Sequence, residues 1–414
     1  MYDALVIGAG AAGLAAAGEL AERGHNVALL EREASPGGIL NQCIHDGFGL
    51  HHFKEELTGP EYAERFVDLV REYKNIDLYG ATTAVQIEEV PGTRRVIAFS
   101  PSTGLNRFQA RAVVLAMGCR ERNRGNLGIP GSRPAGVFTA GLAQRFVNIE
   151  GYVPGRRVVI VGSGDIGLIM ARRMKWVGSD VLAVVEIQPY PSGLTRNIVQ
   201  CLNDFEIPLY LSHIVSKIRG ERRVEAVELT PLREGRADYS KTFVIECDTV
   251  LLSVGLIPDN ELSKKFNIAM NQETGGPHVD AALMTSREGV FACGNVLHVH
   301  DLADWTSEEA IRCASFASDF IRDAPQLEQI SVMSGANVRY VLPEKCLSGR
   351  PNQFYLRSLF VKNNATLEVT MGDELIYSKR IRHVQPSEMI GFLLETPPDQ
   401  NIGSTNPPLV VNLR

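Results

Sequence analysis

The chain has 414 residues, of which 44% are hydrophobic, 7% aromatic and 22% charged. These proportions exclude a disordered or fibrous protein, and at roughly 100–200 residues per domain they predict two to four domains. The 42 basic and 48 acidic residues leave a net charge of -6, which gives no electrostatic reason to expect nucleic acid or an anionic membrane. No stretch approaches the ~20 apolar residues of a transmembrane helix, so we expect no membrane span.

The N-terminus has the order strand, glycine-rich turn, helix. Residues 4–7 are predicted to form a buried strand, residues 8–13 read G-x-G-x-x-G, and residues 14–23 are predicted to be helical. A second predicted strand, 27–30, ends in Glu31 at the distance where an acid accepts hydrogen bonds from a ribose. This combination predicts a dinucleotide site. The alternative, a glycine-rich packing turn, does not account for the acid.

The same arrangement occurs a second time. Residues 157–161 are predicted to form a strand, 162–167 repeat the glycine pattern, and a helix follows through Trp176. A strand at 181–185 then ends in Glu186, which would repel a 2′-phosphate, and no basic residue follows immediately, so NADH is favoured over NADPH. The alternative is that Glu186 is a solvated strand end.

Two such units resemble the flavoproteins with two dinucleotide-binding domains, which include glutathione reductase and NADH oxidase. Residues 113–118 and 250–258 resemble the crossings between those domains, and 285–295 resemble the motif that contacts the flavin ribityl chain. The resemblance extends over residues 1–330 and implies FAD and NAD(H) as cofactors. Asn295 replaces the Asp that is usual in this class, so altered flavin contacts are expected.

The resemblance also implies which residues contact the cofactors. The expected contacts are Gly8, Gly10, Ala12, Gly13, Glu31, Arg32, Gly38, Gln42, Val85, Ala116, Gly118, Gly162, Gly164, Asp165, Ile166, Glu186, Gly255, Gly294, Asn295 and Leu302.

A narrower resemblance concerns four segments. Residues 37–45, 53–62, 193–197 and 298–301 resemble a bacterial FAD/NAD oxidoreductase subfamily that is often encoded beside a glycerol-3-phosphate-dehydrogenase-like flavoprotein and a small cysteine-rich protein. The alpha subunits of opine oxidase, hydrogen cyanide synthase and dye-linked proline dehydrogenase share the general plan. The resemblance implies a subunit that passes electrons between NAD and a dehydrogenase-like flavoprotein subunit or a small cysteine-rich redox protein. The protein could also form a homo-oligomer.

The seven cysteines are scattered and include no C-x-x-C or zinc-ligand spacing. Such a set is typical of reduced thiols and predicts a cytoplasmic protein. Disulfide reductases of this class need two cysteines near the flavin, but Cys43 has no cysteine near it in the sequence, and Cys201 and Cys247 lie far apart, so dithiol exchange is disfavoured. Cys43 could still act alone through a sulfenic acid, or it could be a small residue packed beside the flavin.

His298, His300 and Asp301 directly follow the ribityl motif, which is expected to place them near the pyrimidine end of the flavin. His300 is therefore a candidate for proton transfer. These groups are too few and too loosely spaced to predict a metal, so none is expected. The other histidines that could line the flavin are His45, His51 and His52, although histidines in loops are more often structural.

The sequence thus predicts an α/β protein with two Rossmann-like domains and a small, mostly-β C-terminal domain. The FAD domain would comprise 1–127 and 258–329, interrupted by an NAD domain at 128–257, and the β domain would comprise 330–414. That β domain is either a docking module for a partner subunit or a cap on the flavin domain.

We predict an FAD-dependent NADH:acceptor oxidoreductase that exchanges electrons with a partner. The alternatives are a self-sufficient NADH oxidase or peroxidase that uses Cys43, and a non-catalytic flavoprotein subunit of a dehydrogenase complex.

Overall fold

The computed structural model describes residues 1–325, 327–396 and 407–414, and the chain divides into two compact units. Unit 1 comprises Met1–Cys119 and Pro258–Arg414, and unit 2 comprises Arg120–Ile257. Within the described residues, no helix is long and apolar enough to cross a membrane.

The helices and strands are numbered along the chain. The first part contains β1 (Tyr2–Ile7), α1 (Ala11–Glu22), β2 (Val27–Leu30), β3 (Asp46–Phe48), β4 (Leu57–Thr58), α2 (Gly59–Glu72), β5 (Ile76–Tyr79), β6 (Thr83–Val90), β7 (Thr93–Ser100), β8 (Gly104–Leu115) and β9 (Cys119–Glu121). The middle part contains α3 (Arg124–Leu127), β10 (Val137–Thr139), α4 (Ala140–Asn148), β11 (Arg157–Val161), α5 (Asp165–Trp176), β12 (Asp180–Val185), α6 (Thr195–Cys201), β13 (Leu209–Tyr210), β14 (His213–Arg219), β15 (Ala226–Arg233), β16 (Arg236–Ala237), β17 (Phe243–Glu246), β18 (Thr249–Leu252) and β19 (Leu256–Pro258). The last part contains α7 (Glu261–Lys265), β20 (Val290–Ala292), α8 (Ala303–Ile321), β21 (Gln329–Ser334), β22 (Val338–Leu342), β23 (Lys345–Leu347), β24 (Pro351–Ser358), β25 (Lys362–Met371), β26 (Glu374–Val384), β27 (Met389–Glu395) and β28 (Leu409–Leu413).

Unit 1 is built on a seven-stranded sheet in the order β5-β2-β1-β8-β7-β6, with β20 also paired to β8. Strands β5, β2, β1, β8 and β20 run parallel, and β6 and β7 are antiparallel additions. Ile7 lies opposite both Leu30 and Leu115, so the carboxyl ends of the three central strands are level. Parallel strands with helices on both faces are buried on both sides, which explains the fully apolar end of β1.

Unit 2 repeats this plan with a five-stranded parallel sheet in the order β10-β18-β11-β12-β13. Strand β11, which leads into the second glycine turn, pairs with both β12 and β18, as β1 pairs with β2 and β8. A second sheet of antiparallel strands, β14–β17, packs its apolar face against the residues of β11, β12 and β18 that face it. The two predicted Rossmann-like units are confirmed.

The C-terminal part of unit 1 is mostly β, as predicted. Within its described residues, a five-stranded sheet, β23-β21-β28-β25-β26, and a three-stranded sheet, β22-β24-β27, share one apolar core. Phe354 and Phe392 stack in that core with ring centroids 5.2 Å apart, and the core also includes the fully buried Leu367. Side chains that alternate between core and surface on each strand explain the short alternating runs of the sequence.

Helix α2 supplies a test of local stability, because its N-terminus is closed by a capping box. Thr58 Oγ1 accepts the amide of Glu61, and Glu61 Oε2 accepts the amide of Thr58 at 2.8 Å. Replacing Thr58→Ala should destabilise the first turn by about 1 kcal/mol. Amide hydrogen exchange in that turn should accelerate about fivefold. Glu64→Ala, an exposed position of the same helix, is the control, and equal exchange in the two variants would contradict the assignment.

Candidate functional site

The first glycine turn lies between β1 and α1. Gly8 has φ +102°, and a Cβ on it would lie 2.5 Å from the carbonyl oxygen of Ala116. A Cβ on Gly13 would lie 1.6 Å from the carbonyl oxygen of Gly8, so neither position admits a side chain. Nothing lies within 4 Å of the corresponding point on Gly10, and no side chain caps α1. The open backbone at Gly10 and the uncapped helix N-terminus fit the pyrophosphate of a dinucleotide.

Glu31 is held against this turn. Its side chain is buried, and its Oε2 accepts the amide of Ala9 at 2.8 Å. Its Oε1 accepts the amide of Glu33, also at 2.8 Å. Each carboxylate oxygen has more than one acceptor site, so the group can still accept a ribose hydroxyl. The structure therefore places Glu31 where a ribose acid is needed.

Three further predicted segments meet the first turn. A Cβ on Gly38 would lie 3.0 Å from Cα of Gly10, and one on Gly294 would lie 2.7 Å from Cβ of Ala12. The loop of residues 37–43 and the ribityl motif are thus both packed on the turn, and Ala116 joins them from the end of β8. The other predicted flavin contacts on these segments are the buried Gln42, Gly118 with open space beside it, and Leu302 at the N-cap of α8.

Two predicted contacts lie at the margin of the site. The side chain of Arg32 is 64% exposed, and its nearest acid is Asp259 at 3.8 Å. Val85 lies in β6 and is also exposed, three residues beyond Thr82, whose amide donates to the carbonyl of Glu31. The structure leaves both residues available to a ligand but fixes neither of them against the turn.

Asn295 is engaged by the protein itself. Its Oδ1 accepts the amide of His300 at 2.9 Å, and its Nδ2 lies 3.6 Å from Sγ of Cys119. An aspartate could accept the same amide but could not donate to a thiol sulfur. The side-chain amide of Asn295 thus fixes the loop that follows the ribityl motif.

The second glycine turn has the same construction. A Cβ on Gly162 would lie 1.9 Å from the carbonyl oxygen of Ser253. A Cβ on Gly164 would have open space around it, because the nearest atom, Oγ of Ser253, would be 4.0 Å away. Asp165 begins α5, and its Oδ1 accepts both the amide of Leu194, at 2.9 Å, and Nδ2 of Asn197, at 2.6 Å. The other two predicted contacts are Ile166, which packs on the core of unit 2, and Gly255, which has open space beside it.

Glu186 is buried and is not a solvated strand end. Its Oε2 accepts the amide of Ser163 at 2.9 Å, the hydroxyl of Ser163 at 2.5 Å and the hydroxyl of Ser192 at 2.9 Å. Its Oε1 accepts the amide of Gln188 at 2.9 Å. The hydrogen bonds that Glu186 accepts from backbone amides match those of Glu31. Each acid binds the glycine turn that follows the neighbouring strand, β1 or β11, and also the amide of the second residue after itself.

A buried cluster lies directly beneath the ribityl motif. Glu309 Oε1 accepts the amide of Gly294 at 2.7 Å, and its Oε2 lies 2.9 Å from Nε2 of His298. His300 Nε2 lies 3.2 Å from Oε1. Burial alone raises the pKa of Glu309, but the neighbouring His300 and His298 outweigh it and hold that pKa well below its usual range. Burial, together with His300, lowers the pKa of His298 to about 4.

His300 supplies a second test of whether a flavin fits here. Its side chain is fully buried, yet among the described residues neither ring nitrogen has a hydrogen-bond partner, although Nε2 lies 3.2 Å from Oε1 of Glu309. A buried, unpaired imidazole nitrogen is costly, and a polar ligand group beside the ribityl motif would satisfy it. His298, His300 and Glu309 also have the atom types and spacing of a metal site, although no metal was expected from the sequence.

Sequence reasoning missed the acids of α8. Asp304 is buried, and its carboxylate accepts the amides of Gly49, His51 and His52 at 3.1, 3.2 and 2.8 Å. This explains His51 and His52 as members of an anchored loop, and His52 also stacks on Phe66. His45 packs on Phe48 in the same region. No signal in the sequence singled them out, because Asp304 and Glu309 stand among other polar and acidic residues at the start of the helix.

Cys43 has the properties of a packed thiol. Its Sγ donates to the carbonyl of Ile39 at 3.3 Å, and burial raises its pKa to about 12. None of the seven cysteines, all of which the structure describes, forms a disulfide bond. A thiol with this pKa stays protonated at neutral pH, whereas sulfenic-acid chemistry starts from a thiolate.

These features define a flavoprotein with two dinucleotide-binding units. The chain belongs to the pyridine nucleotide-disulphide oxidoreductase family, whose model matches residues 2–329. The predicted enzyme class, an FAD-dependent NAD(P)H oxidoreductase, and its FAD and nicotinamide cofactors are confirmed.

The curated relatives include both oxidase subunits and reductases. Over 320 residues the chain is 27% identical to an opine oxidase subunit from Agrobacterium tumefaciens, covering 71% of this chain and 61% of that protein. It is 26% identical over 301 residues to thioredoxin reductase of Treponema pallidum, covering 71% of this chain and 89% of that protein. The chain thus spans about three fifths of the length of the opine oxidase relative. Among solved structures, T. acidophilum thioredoxin reductase matches with a TM-score of 0.64 and 24% identity, over 77% of this chain and 98% of that one.

A substitution at Glu31 tests the first site. Glu31→Gln keeps the size of the side chain but replaces one of the two accepting oxygens with a donor, which then faces an amide donor. We expect the affinity for FAD to fall about tenfold, as measured by titration of the apoprotein. Glu22→Gln on the exposed end of α1 should bind FAD like the original protein. Equal affinity in the two variants would show that Glu31 does not serve the cofactor.

The state of Cys43 can be tested by alkylation. With a pKa of about 12, roughly one thiol in ten thousand is ionised at pH 8, and this fraction rises tenfold per pH unit. The rate of iodoacetamide labelling of the Cys43 peptide, followed by mass spectrometry, should therefore still rise between pH 8 and 10. A rate that levels off below pH 8 would identify an activated thiolate instead.

Proposed function

We propose that the protein is an NADH:acceptor oxidoreductase that exchanges electrons with a partner dehydrogenase subunit or a small redox protein. The observation that supports it most is the repeated turn with a buried acid, Glu31 in unit 1 and Glu186 in unit 2. Two dinucleotide sites of this kind suit two cofactors, FAD and NADH. Burial raises the pKa of Cys43, the predicted redox thiol, to about 12, which disfavours a thiolate at this position.

The preference for NADH follows from the charge of Glu186. Its carboxylate is buried and held by four protein donors, so a nucleotide could not move it aside without breaking those bonds. A 2′-phosphate would meet this negative charge at close range, and like charges at a buried site repel strongly. A ribose hydroxyl would instead donate to the carboxylate.

The roles of the other residues follow from their contacts. Bound FAD would accept a hydride from the reduced nicotinamide and release the electrons to an acceptor. The backbone at Gly10 would bind the pyrophosphate, and Glu31 would orient the ribose of the flavin nucleotide. Asn295 fixes the following loop, and His300 Nδ1 offers a buried site that could hold a proton beside the cofactor.

The relatives support a partner. Those from opine oxidase and sarcosine oxidase are both named as subunits, and each is longer than the region that matches this chain. Cys43 has no second cysteine near it in the sequence, and the Cys293 and Cys313 thiols, which contact each other, are fully buried. Electrons that leave the flavin would therefore pass to an acceptor outside the chain. We therefore infer that a second protein receives or supplies them. We also propose a cytoplasmic location, since the seven cysteines form no disulfide.

Anaerobic mixing with nicotinamide nucleotides tests this function. NADH should bleach the flavin absorbance rapidly, and NADPH should do so at least about tenfold more slowly at equal concentration. Glu186→Ala should reduce this discrimination, whereas Glu221→Ala, an exposed acid of unit 2, should leave it unchanged. No bleaching by NADH would refute the proposal and favour a non-catalytic flavoprotein.

A peroxide experiment separates the alternative that uses Cys43. The reduced protein should turn over hydrogen peroxide slowly, and Cys43→Ser should retain the same rate of flavin reduction by NADH. Rapid peroxide turnover that disappears in Cys43→Ser would instead support a self-sufficient peroxidase.

A further inference from the structure

The loop that follows the ribityl motif is fastened to the C-terminal β sheets. Arg357 in β24 donates to Oδ1 of Asp301 at 2.5 Å and to the carbonyl of Val299 at 3.1 Å. The amide of Met389 donates to the other oxygen of Asp301 at 2.6 Å. The side chain of Arg357 is only 13% exposed and that of Asp301 is 31% exposed, so the guanidinium is shielded from solvent while the carboxylate is partly open to it. We call the contacts of Asp301 with Arg357 and Met389 the 301–357 clamp.

Strands β22 and β24 of the same three-stranded sheet cover the two histidines. The ring of Tyr340 lies edge-on to His298 at a centroid distance of 5.9 Å, and Tyr355 lies edge-on to His300 at 5.2 Å. Nδ1 of His298 is 3.5 Å from the hydroxyl of Tyr340. These aromatic rings exclude water from the histidines, which accounts for the complete burial of both imidazoles.

An unbroken chain of contacts leads from the clamp to the cofactor site. Asp301 is the residue next to His300, whose backbone amide donates to Asn295 and whose ring lies against Glu309. Glu309 in turn accepts the amide of Gly294, which is packed on Ala12 in the first glycine turn. Each step is a hydrogen bond, a close polar contact or a close packing contact, and beyond the exposed Asp301 and the half-buried Asn295 the groups are buried.

We propose that Asp301 and Arg357 are positioning residues of the flavin site, and that the C-terminal β sheets complete this site. The clamp fixes the backbone of residues 298–301, and this backbone fixes His300 and Asn295 beside the cofactor. Removing one partner of a shielded ion pair leaves the other charge uncompensated, so the loop would have to rearrange to expose it. The inference deepens the proposed function and depends on flavin binding at this site.

The clamp also decides between the two interpretations of the C-terminal β region. A module that only docks a partner would contact the flavin domain through exposed, weakly coupled groups. The Arg339–Glu273 pair is of that kind, because both side chains are about half exposed and it joins a strand of the β region to the flavin domain. The Asp301–Arg357 pair is instead less exposed, because its guanidinium is largely buried, and it lies next to the ribityl motif.

The test compares Arg357→Gln with Arg339→Gln in the full chain. For each variant, the FAD dissociation constant, the rise in melting temperature on FAD saturation and the flavin midpoint potential are measured. Arg357→Gln should weaken FAD binding about tenfold, diminish the FAD-dependent rise in melting temperature and shift the midpoint potential. Arg357→Lys, which keeps the charge, should restore part of the affinity. Arg339→Gln should match the original protein in all three measurements.

Two results would overturn the inference. One is a folded Arg357→Gln protein with unchanged FAD affinity and midpoint potential. The other is an equal fall in melting temperature with and without FAD, which would show that the pair only stabilises the fold. If Arg357→Gln does not fold, Asp301→Asn provides the same comparison, because it removes the opposite charge and keeps the side-chain size. Failure of the unsubstituted protein to bind FAD would instead refute the proposed function.

Discussion

Both nucleotide sites depend on one constraint, the close approach of a buried strand to the helix that follows it. At the first turn, the carbonyl of Gly8 occupies the space that a side chain on Gly13 would need. This contact brings the helix N-terminus over the carboxyl end of β1, where its unpaired amides face the position of a phosphate. The acid at the end of the neighbouring strand then completes the site by binding the turn, through Ala9 in unit 1 and Ser163 in unit 2.

The local pattern of residues was sufficient to predict this part of the molecule. Strand β2 lies at 27–30 as predicted, and β11 lies at 157–161. Helix α1 begins at Ala11, three residues before the predicted start, because the last residues of the glycine motif already belong to the first helical turn. Periodicity places buried strands and helices well, but it cannot separate the end of a turn from the start of a helix that the turn leads into.

The contacts that sequence reasoning missed share a different property. Asp304 binds amides at 49–52, and Asp301 binds Arg357 and Met389, so in each case the partners lie far apart along the chain. No spacing rule connects such groups, since their proximity is a consequence of tertiary packing. The motif at 298–301 was visible in the sequence, but the role of its acid required the position of β24. The His–Glu contacts beneath the ribityl motif likewise became visible only once α8 was packed on the sheet.

The chain keeps the cofactor framework of its family, whereas Cys43 has its pKa raised by burial. In a buried site a thiolate is stabilised only by nearby positive charge or helix dipoles, and burial is the dominant influence on Cys43. The polar groups concentrated beside the ribityl motif are instead Asn295, His300 and Glu309, of which Glu309 is shielded from solvent and has its pKa held well below its usual range by the neighbouring histidines. Fixed charges and dipoles in such a place act strongly on any cofactor charge, because water does not screen them. A site of this kind is suited to setting the potential and protonation of a bound flavin.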